Sequence, residues 1–320
     1  MFTDLSGPPL YEYRSAQDEP VDFVSFWSET LSEASAFDID VVVTPVESPL
    51  RVLSVWDVSF RGFGGQRVRG WLRRPTMLSG DLPVVVEYVG YGGGRGLAED
   101  SLFWTACGFA HFQMDTRGQG ATWSVGDTPD EGVVGPRVPG MMTAGIHDRF
   151  QYYYRRLITD AVRAFEAVSR LDGIDNSRMT ALGTSQGGGL ALAVAGLSPQ
   201  VAQLVSYVPF LCDFPRAITI TDADPYKEIS RYLSVHRAAE ATVLETLQYF
   251  DGVNFARHAK APAEFTTGLM DEVCPPSTVM AAFNEYRGPK NIQVWTHNGH
   301  QVSREDDIRV AVELQRQFAM

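Results

Sequence analysis

The 320-residue sequence predicts an α/β fold with a mixed, mostly parallel sheet covered by helices on both faces. The first observation is a series of short apolar runs that alternate with helical patterns, as buried parallel strands do. The second is a pair of segments, 53–62 and 66–75, in which apolar and polar residues alternate around a glycine-rich turn. This pattern is typical of an antiparallel hairpin with one solvated face. The third is a strand, a tight turn and a helix in direct succession within residues 179–198.

The elements follow from hydrophobic periodicity, taken in chain order. Within 22–37, Phe23, Phe26, Trp27 and Leu31 stand at helical spacing, which predicts an amphipathic N-terminal helix. After the hairpin, strands are predicted at 82–90, 109–115, 179–183, 202–210, 263–271 and 291–297. Intervening helices are predicted at 155–171 and 275–288.

An antiparallel opening followed by alternating strands and helices indicates an α/β-hydrolase fold. We expect one domain, 1–320, with an N-terminal extension over 1–40, because α/β folds of this size often form one unit. Residues 212–251 separate two predicted strands and contain helical stretches. We interpret them as an insertion over the carboxyl-terminal edge of the sheet, where lids and interfaces usually lie.

Composition excludes several classes of protein. The net charge is −12, from 27 basic and 39 acidic side chains, and no Lys/Arg cluster is present, so no nucleic acid partner is expected. The N-terminus has no signal-peptide pattern and no apolar run is long enough for a membrane span, so we expect a cytoplasmic protein without membrane contact. Three cysteines without a CxxC pattern indicate neither disulfides nor zinc.

Residues 183–187, GTSQG, match the G-x-S-x-G pattern of a nucleophile elbow. A predicted strand precedes this pentapeptide and a predicted helix follows it, which is the context that the elbow requires. Ser185 is therefore the candidate nucleophile. The alternative is a tight turn in which this serine caps the following helix.

A serine hydroxyl needs a base to remove its proton and an acid to orient that base. In this fold the chain order is serine, acid, histidine. His300 follows the last predicted strand in a loop that could reach Ser185, and His297 remains an alternative at the strand end. His236 is predicted on the surface of the insertion, and His258 precedes a strand at the wrong end of the sheet.

Asp271 is the candidate acid because it ends the strand before the histidine loop. Its carboxylate could accept the ring N–H of the base and fix its tautomer. The alternative role for Asp271 is to cap the helix predicted at 275–288. Glu272 is expected to point elsewhere, and Asp251 precedes the strand on the opposite side of the sheet.

Two backbone amides are expected to stabilise an oxyanion: that of Gln186, directly after the serine, and that of Tyr91, in the loop after the third core strand. The glycines of VGYGGGRG, 89–96, allow close backbone approach to a substrate. The spacing is not G-x-G-x-x-G, which argues against dinucleotide binding. No metal or organic cofactor is expected.

The sequence resembles carbohydrate esterase family 7 in six motifs that occur in the same order: GYGGGRG, MDTRGQG, GTSQGGG, YVPFLCDF, GLMDEVCPPST and NGH. This family contains acetyl xylan esterases and cephalosporin C deacetylases. The resemblance implies Ser185 as nucleophile, Asp271 as acid and His300 as base, with the amides of Tyr91 and Gln186 as oxyanion donors. It also places Tyr91, Pro225 and the residues around Cys274 at the substrate. One departure is Gln301, where the family commonly has glutamate.

The resemblance further implies a small acetylated sugar or a cephalosporin as substrate, and a homo-hexamer built partly through 212–251. Arg117, in RGQG, is interpreted as a brace for loops around the site, with a solvated surface arginine as the alternative. Cys274 lacks an elbow and a base, which argues against a thiol nucleophile. The competing functions are a peptidase or lipase on the same fold, a hydrolase for other short-chain esters, and a non-catalytic binding protein.

Overall fold

The computed structural model describes residues 1–131 and 140–320, and in these residues nine strands form one sheet. The strands are Val42–Val46 (β1), Leu53–Arg61 (β2), Arg67–Pro75 (β3), Leu82–Tyr88 (β4), Ala110–Met114 (β5), Ile174–Thr184 (β6), Gln203–Tyr207 (β7), Ala263–Gly268 (β8) and Lys290–Trp295 (β9). Their order across the sheet is β1-β2-β3-β5-β4-β6-β7-β8-β9.

The sheet is mixed, as predicted. The first three strands and β5 pair antiparallel, and every pair from β5 through β4 to β9 is parallel. The carboxyl ends of β4, β6, β7, β8 and β9 therefore share one edge of the sheet. In an open α/β sheet this is the edge where ligands bind.

Helices cover both faces of the sheet. The α-helices are Pro8–Tyr11 (α1), Phe23–Ser35 (α2), Phe103–Ala106 (α3), Tyr153–Val168 (α4), Gln186–Leu197 (α5), Phe214–Ile220 (α6), Tyr226–Val235 (α7), Glu240–Gln248 (α8), Gly252–Ala256 (α9), Pro276–Glu285 (α10) and Arg304–Gln317 (α11). The larger core cluster includes residues of α4, α5 and α9. A second cluster places Trp104 of α3 and Leu314 of α11 against Val85 and Val205 of the sheet. The predicted α/β-hydrolase architecture is thus confirmed.

The predicted N-terminal helix is α2, and it packs on the main body through Phe23, Phe26 and Trp27. The indole N–H of Trp27 donates a hydrogen bond to the carbonyl of Tyr249 over 2.9 Å, so the buried ring keeps its polar group satisfied. Leu31 is only half-buried.

The structure departs from the predicted elements in several places. Strand β1 was not predicted, because it is an exposed edge strand containing Pro45 and carries no apolar alternation. Strand β8 ends at Gly268 and not at Asp271. Within 212–251, the pattern over 235–250 predicts one helical stretch, but the structure interrupts it, since α7 ends at Val235 and α8 begins at Glu240.

The 212–251 segment contains α6, α7 and α8, and α7 contacts the loop after β4 at the carboxyl edge. Glu228 of α7 accepts a hydrogen bond from the hydroxyl of Tyr91 over 2.8 Å. In the described ranges, no helix is both long and apolar enough to cross a membrane.

Candidate active site

Ser185 lies at a sharp turn between β6 and α5. Its backbone angles are φ 59° and ψ −121°, a conformation that residues other than glycine rarely adopt. The turn is held on both sides: Ser185 N–H donates to Tyr207 O over 3.0 Å, and Phe210 N–H donates to Ser185 O over 3.0 Å. These bonds hold the strained backbone that presents the hydroxyl at the carboxyl edge of the sheet.

The glycines that flank Ser185 are required by close backbone contacts. A Cβ atom on Gly183 would lie 2.1 Å from the carbonyl carbon of Gly187. A Cβ atom on Gly187 would lie 1.9 Å from the carbonyl oxygen of Tyr88 at the end of β4. A side chain at either position would push α5 away from the sheet and misplace the serine.

His300 contacts both Ser185 and Asp271. Its Nε2 lies 2.9 Å from Oγ of Ser185, and its Nδ1 lies 2.9 Å from Oδ2 of Asp271. An ionised carboxylate can only accept, so Nδ1 carries the ring proton and Nε2 is left to accept from the serine hydroxyl. The structure therefore brings together the three side chains that the sequence selected.

Asp271 is fully buried, and its two oxygens have separate tasks. Oδ1 accepts hydrogen bonds from the backbone amides of Val273 and Cys274, both over 2.8 Å, which leaves Oδ2 for the histidine. Pro275 occupies the N-cap position of α10, so the alternative role of Asp271 as the cap of that helix is wrong. The hydroxyl of Thr3 donates to the Asp271 carbonyl over 2.9 Å, which ties the N-terminal extension to this loop.

The alternative residues lie elsewhere. His297 is in an exposed turn after β9, beyond the strand end where it was expected, and His236 is exposed in the insertion. Nε2 of His258 lies 2.8 Å from Glu19, near the N-terminal helix. Glu272 is exposed, as expected. Asp251 caps α9 and accepts from the amides of residues 213, 214 and 253.

The backbone amides of Tyr91 and Gln186 have no acceptor among the described residues. Gln119, which follows β5, links the segments that carry them. Its Oε1 accepts from Gly92 N–H over 2.7 Å, and its Nε2 donates to Oε1 of Gln186 over 3.0 Å. Sequence reasoning assigned no role to Gln119. The signal was a polar side chain within a glycine-flanked loop at the carboxyl end of a predicted strand.

A cavity of about 670 Å³ opens over Ser185 and His300. Pro225 and Val273 form apolar parts of its wall, and the aromatic residues Tyr91 and Trp123 also line it. The indole N–H of Trp123 donates to the Tyr91 carbonyl over 2.8 Å, which fixes an otherwise exposed ring beside the cavity. The volume suits a small organic ligand.

The insertion and the loop after β4 meet in a buried polar contact. Besides accepting from Tyr91, Glu228 accepts from the amide of Met142 over 3.3 Å, and Met141 N–H donates to the Tyr91 hydroxyl over 3.1 Å. Burial raises the pKa of Glu228 and raises the pKa of the Tyr91 phenol. Tyr91 therefore stays a neutral donor that attaches α7 to the loop.

The family model described as acetyl xylan esterase (AXE1) matches residues 1–310. The chain belongs to this family. It is 27% identical over 301 residues to acetyl esterase Axe7A of Xylanibacter ruminicola, a match that covers 93% of this chain and 67% of that protein. The resemblance drawn from the six motifs is confirmed, and membership makes this chain a carboxylic ester hydrolase.

Solved structures of acetyl xylan esterases have the same fold. The enzyme from Paenibacillus sp. R4 is 34% identical with a TM-score of 0.91, over 98% of this chain and 99% of that one. Acetyl xylan esterase 1 from Thermoanaerobacterium sp. JW/SL YS485 is 31% identical with a TM-score of 0.89, over 97% and 99%. An acylaminoacyl peptidase from Pyrococcus horikoshii, 16% identical with a TM-score of 0.61, shares the fold over 83% of this chain and 42% of that one.

In this acetyl xylan esterase family member, Arg117 is buried at 1% exposure, so a solvated surface arginine is excluded. Its guanidinium donates to both oxygens of Asp160, to Asp130 over 3.1 Å and to Gln66 over 2.7 Å. Asp160 lies in α4, and it also accepts the N–H of Phe63 over 2.8 Å. Arg117 therefore braces the loop after β5 against α4 and the hairpin.

Two further positions bear on the family pattern. Burial raises the pKa of the Cys274 thiol, and the negative charge of Asp271 raises it further, so the reactive thiolate is disfavoured. Gln301, which stands where the family commonly has glutamate, is exposed, and its N–H donates to the Gly299 carbonyl over 2.9 Å.

Proposed function

We propose that the protein is a serine esterase that removes acetyl groups from small acetylated carbohydrates, first of all xylo-oligosaccharides. The observation that carries the proposal is the chain of contacts from Asp271 through His300 to Ser185, with both hydrogen-bond distances at 2.9 Å. Membership in the acetyl xylan esterase family and similarity to two enzymes of that name support the acetyl group and the sugar.

In the first half of the reaction, Nε2 of His300 takes the Ser185 proton as Oγ attacks the acetyl carbonyl. Asp271 stabilises the imidazolium and keeps its ring oriented. The resulting oxyanion would accept hydrogen bonds from the backbone amides of Tyr91 and Gln186, neither of which has a competing acceptor in the described ranges. Collapse of the tetrahedral intermediate expels the sugar alkoxide, which receives its proton from His300.

In the second half, water replaces the sugar. His300 takes a proton from the water as the water oxygen attacks the acetyl carbon. The second tetrahedral intermediate then releases acetate. His300 then returns the proton to Ser185 Oγ, which restores the starting state.

Acetyl selectivity would come from Pro225 and Val273, which contribute apolar bulk to the wall of the cavity that contains Ser185. A single methylene changes binding by only about 1–3 kcal/mol, so crowding against a wall is needed to reject longer acyl chains. We expect p-nitrophenyl acetate to be hydrolysed at least about 100-fold faster than the octanoate, with the butyrate between them. Equal rates on acetate and octanoate would remove the acetyl assignment.

We further propose that the protein deacetylates cephalosporin C at the 3′ position and assembles as a homo-hexamer partly through 212–251. These two statements rest on the family resemblance. Release of acetate from cephalosporin C tests the first, and sedimentation equilibrium tests the second. Absence of acetate release, or a monomer at micromolar concentration, would contradict the corresponding statement.

A further inference from the structure

A second, smaller cavity adjoins the cavity over Ser185. Its volume is about 270 Å³, and it lies between the sheet, α3 and the start of α11. It shares Glu87, Ser101 and Thr184 with the larger cavity, so the two are contiguous. We call it the side cavity. The reaction steps derived above use none of the residues that line only this space.

Tyr207, at the end of β7, gives the side cavity a polar group without a partner. The side chain is 1% exposed, and its hydroxyl makes no hydrogen bond within residues 1–131 and 140–320. A buried hydroxyl group without a hydrogen-bond partner costs free energy. Beside a cavity, such a hydroxyl points to a ligand that supplies the missing hydrogen bond.

Glu87 supplies a fixed acceptor. Its Oε2 lies 2.7 Å from Nε2 of His111, whose Nδ1 lies 3.4 Å from the Arg73 guanidinium. Because the guanidinium can only donate, Nδ1 accepts and Nε2–H donates to Glu87. Burial lowers the pKa of His111, which agrees with a neutral ring. This contact orients Glu87 and leaves Oε1 without a partner among the described residues.

Asp307 and Arg304 of α11 complete the polar wall. Asp307 Oδ2 accepts from Arg304 over 2.8 Å, and Oδ1 has no partner in the described chain. The Arg304 guanidinium lies 4.7 Å from the centre of the Phe103 ring. Two carboxylates against one guanidinium disfavour an anionic ligand. Free carboxylate oxygens beside hydroxyl groups suit the vicinal hydroxyls of a neutral sugar.

We propose that the side cavity is a subsite for the sugar ring adjacent to the acetylated one, with Glu87, Tyr207 and Asp307 as its hydrogen-bonding residues. The inference rests on the proposed function, because it assumes that the acetyl group at Ser185 belongs to an oligosaccharide. It makes acetylated xylobiose a better substrate than acetylated xylose, since only the disaccharide can fill both cavities.

The test compares kcat/KM for acetylated xylobiose and acetylated xylose in wild-type protein, Tyr207→Phe and Asp307→Asn. Tyr207→Phe removes one hydrogen bond to the second ring, and Asp307→Asn removes the charge that strengthens another, so each should lower the disaccharide-to-monosaccharide ratio by about 3- to 10-fold. The matched control is Tyr286→Phe, which removes a buried tyrosine hydroxyl that donates to the Ala261 carbonyl over 2.6 Å, away from both cavities. Its ratio should equal that of wild type.

Inhibition of p-nitrophenyl acetate hydrolysis by unacetylated xylobiose gives an independent readout of the subsite. Its inhibition constant should rise in Tyr207→Phe and stay constant in Tyr286→Phe. If wild type deacetylates both sugars but neither the ratio nor the inhibition constant changes in Tyr207→Phe and Asp307→Asn, the subsite is refuted and the esterase proposal stands. If neither acetylated sugar reacts and xylobiose inhibits as predicted, the carbohydrate esterase assignment fails, and the side cavity is retained only as a binding site for xylobiose. If neither reacts and xylobiose does not inhibit, both proposals fail.

Discussion

The side-chain amide of Gln119 donates a hydrogen bond to Oε1 of Gln186 over 3.0 Å and so joins the loop after β5 to the residue that follows Ser185. The same side chain accepts from the amide of Gly92, next to Tyr91. This buried glutamine thus helps to set the spacing between the two amides proposed to stabilise the oxyanion. A second link joins the same segments, because Nε2 of Gln186 donates to the Val89 carbonyl over 3.2 Å.

Replacing Gln119 with leucine should lower kcat for p-nitrophenyl acetate by about 10- to 100-fold, because small displacements of oxyanion donors are costly in the transition state. KM should change much less. The matched control is Gln203→Leu, a buried glutamine of β7 that lies outside the active-site cavity. An equal loss of kcat in both variants would show a general packing effect and would contradict the positioning role.

Asp271→Asn should leave a folded protein with kcat reduced by about 10,000-fold. Oδ1 of the residue accepts two backbone amides, so the asparagine would place its oxygen there and turn its NH₂ toward His300. Nδ1 would then have to accept, the proton would move to Nε2, and the ring could no longer take the serine proton. Steady-state kinetics with Glu272→Gln, the exposed neighbour, as control tests this. Near-normal turnover in Asp271→Asn would refute the role of this carboxylate.

Arg117→Met should lower the free energy of unfolding by about 3–5 kcal/mol, because it leaves the buried carboxylate of Asp160 without its cation and removes one of the two arginines that pair with Asp130. Asp160 is 0% exposed and Asp130 is 3% exposed. Arg170→Met, which breaks an exposed pair with Glu166, should cost no more than about 0.5 kcal/mol. Urea unfolding of both variants gives the comparison. Similar losses in the two would contradict the bracing role of Arg117.

The stability of the fold should carry a pH dependence from Asp307. Its pKa is raised to about 6, mainly by burial, with Arg304 lowering it and the charges of Glu87 and Asp306 raising it. The folded protein therefore binds this proton more tightly than the unfolded chain does. The stabilisation is fully present below the unfolded pKa, about 4, and is lost as pH rises through about 6.

Asp307→Asn removes this titration. The difference in unfolding free energy, wild type minus variant, should fall by about 1–2 kcal/mol between pH 4 and pH 7. Chemical denaturation across this range measures it, and Asp222→Asn at an exposed site serves as control. A difference that stays constant with pH, or that grows, would contradict the raised pKa.

The local arrangement around Ser185 could be predicted from the sequence, because the strand, the turn and the helix are contiguous there. Their hydrophobic periodicity and their glycines therefore occur within one short segment. His300 and Asp271 could be selected because parallel strands deliver their carboxyl ends to one edge. Strand β1 could not be predicted, because it contains Pro45 and its exposed residues show no apolar alternation. It forms through its antiparallel pairing with β2, which the local sequence does not show. Gln119 and Thr3 form hydrogen bonds with residues more than 25 positions away in the chain, and Tyr207 is singled out only by its place beside a cavity. No local sequence pattern predicts such contacts.

In the proposed reaction, Ser185 Oγ carries the acetyl group during turnover. The most direct measurement is mass spectrometry of protein that has been acid-quenched during reaction with p-nitrophenyl acetate, followed by peptide mapping. We expect an added mass of one acetyl group on the peptide containing Ser185, and no such addition in Ser185→Ala. An acetyl group trapped on another residue, or undiminished turnover by Ser185→Ala, would contradict it.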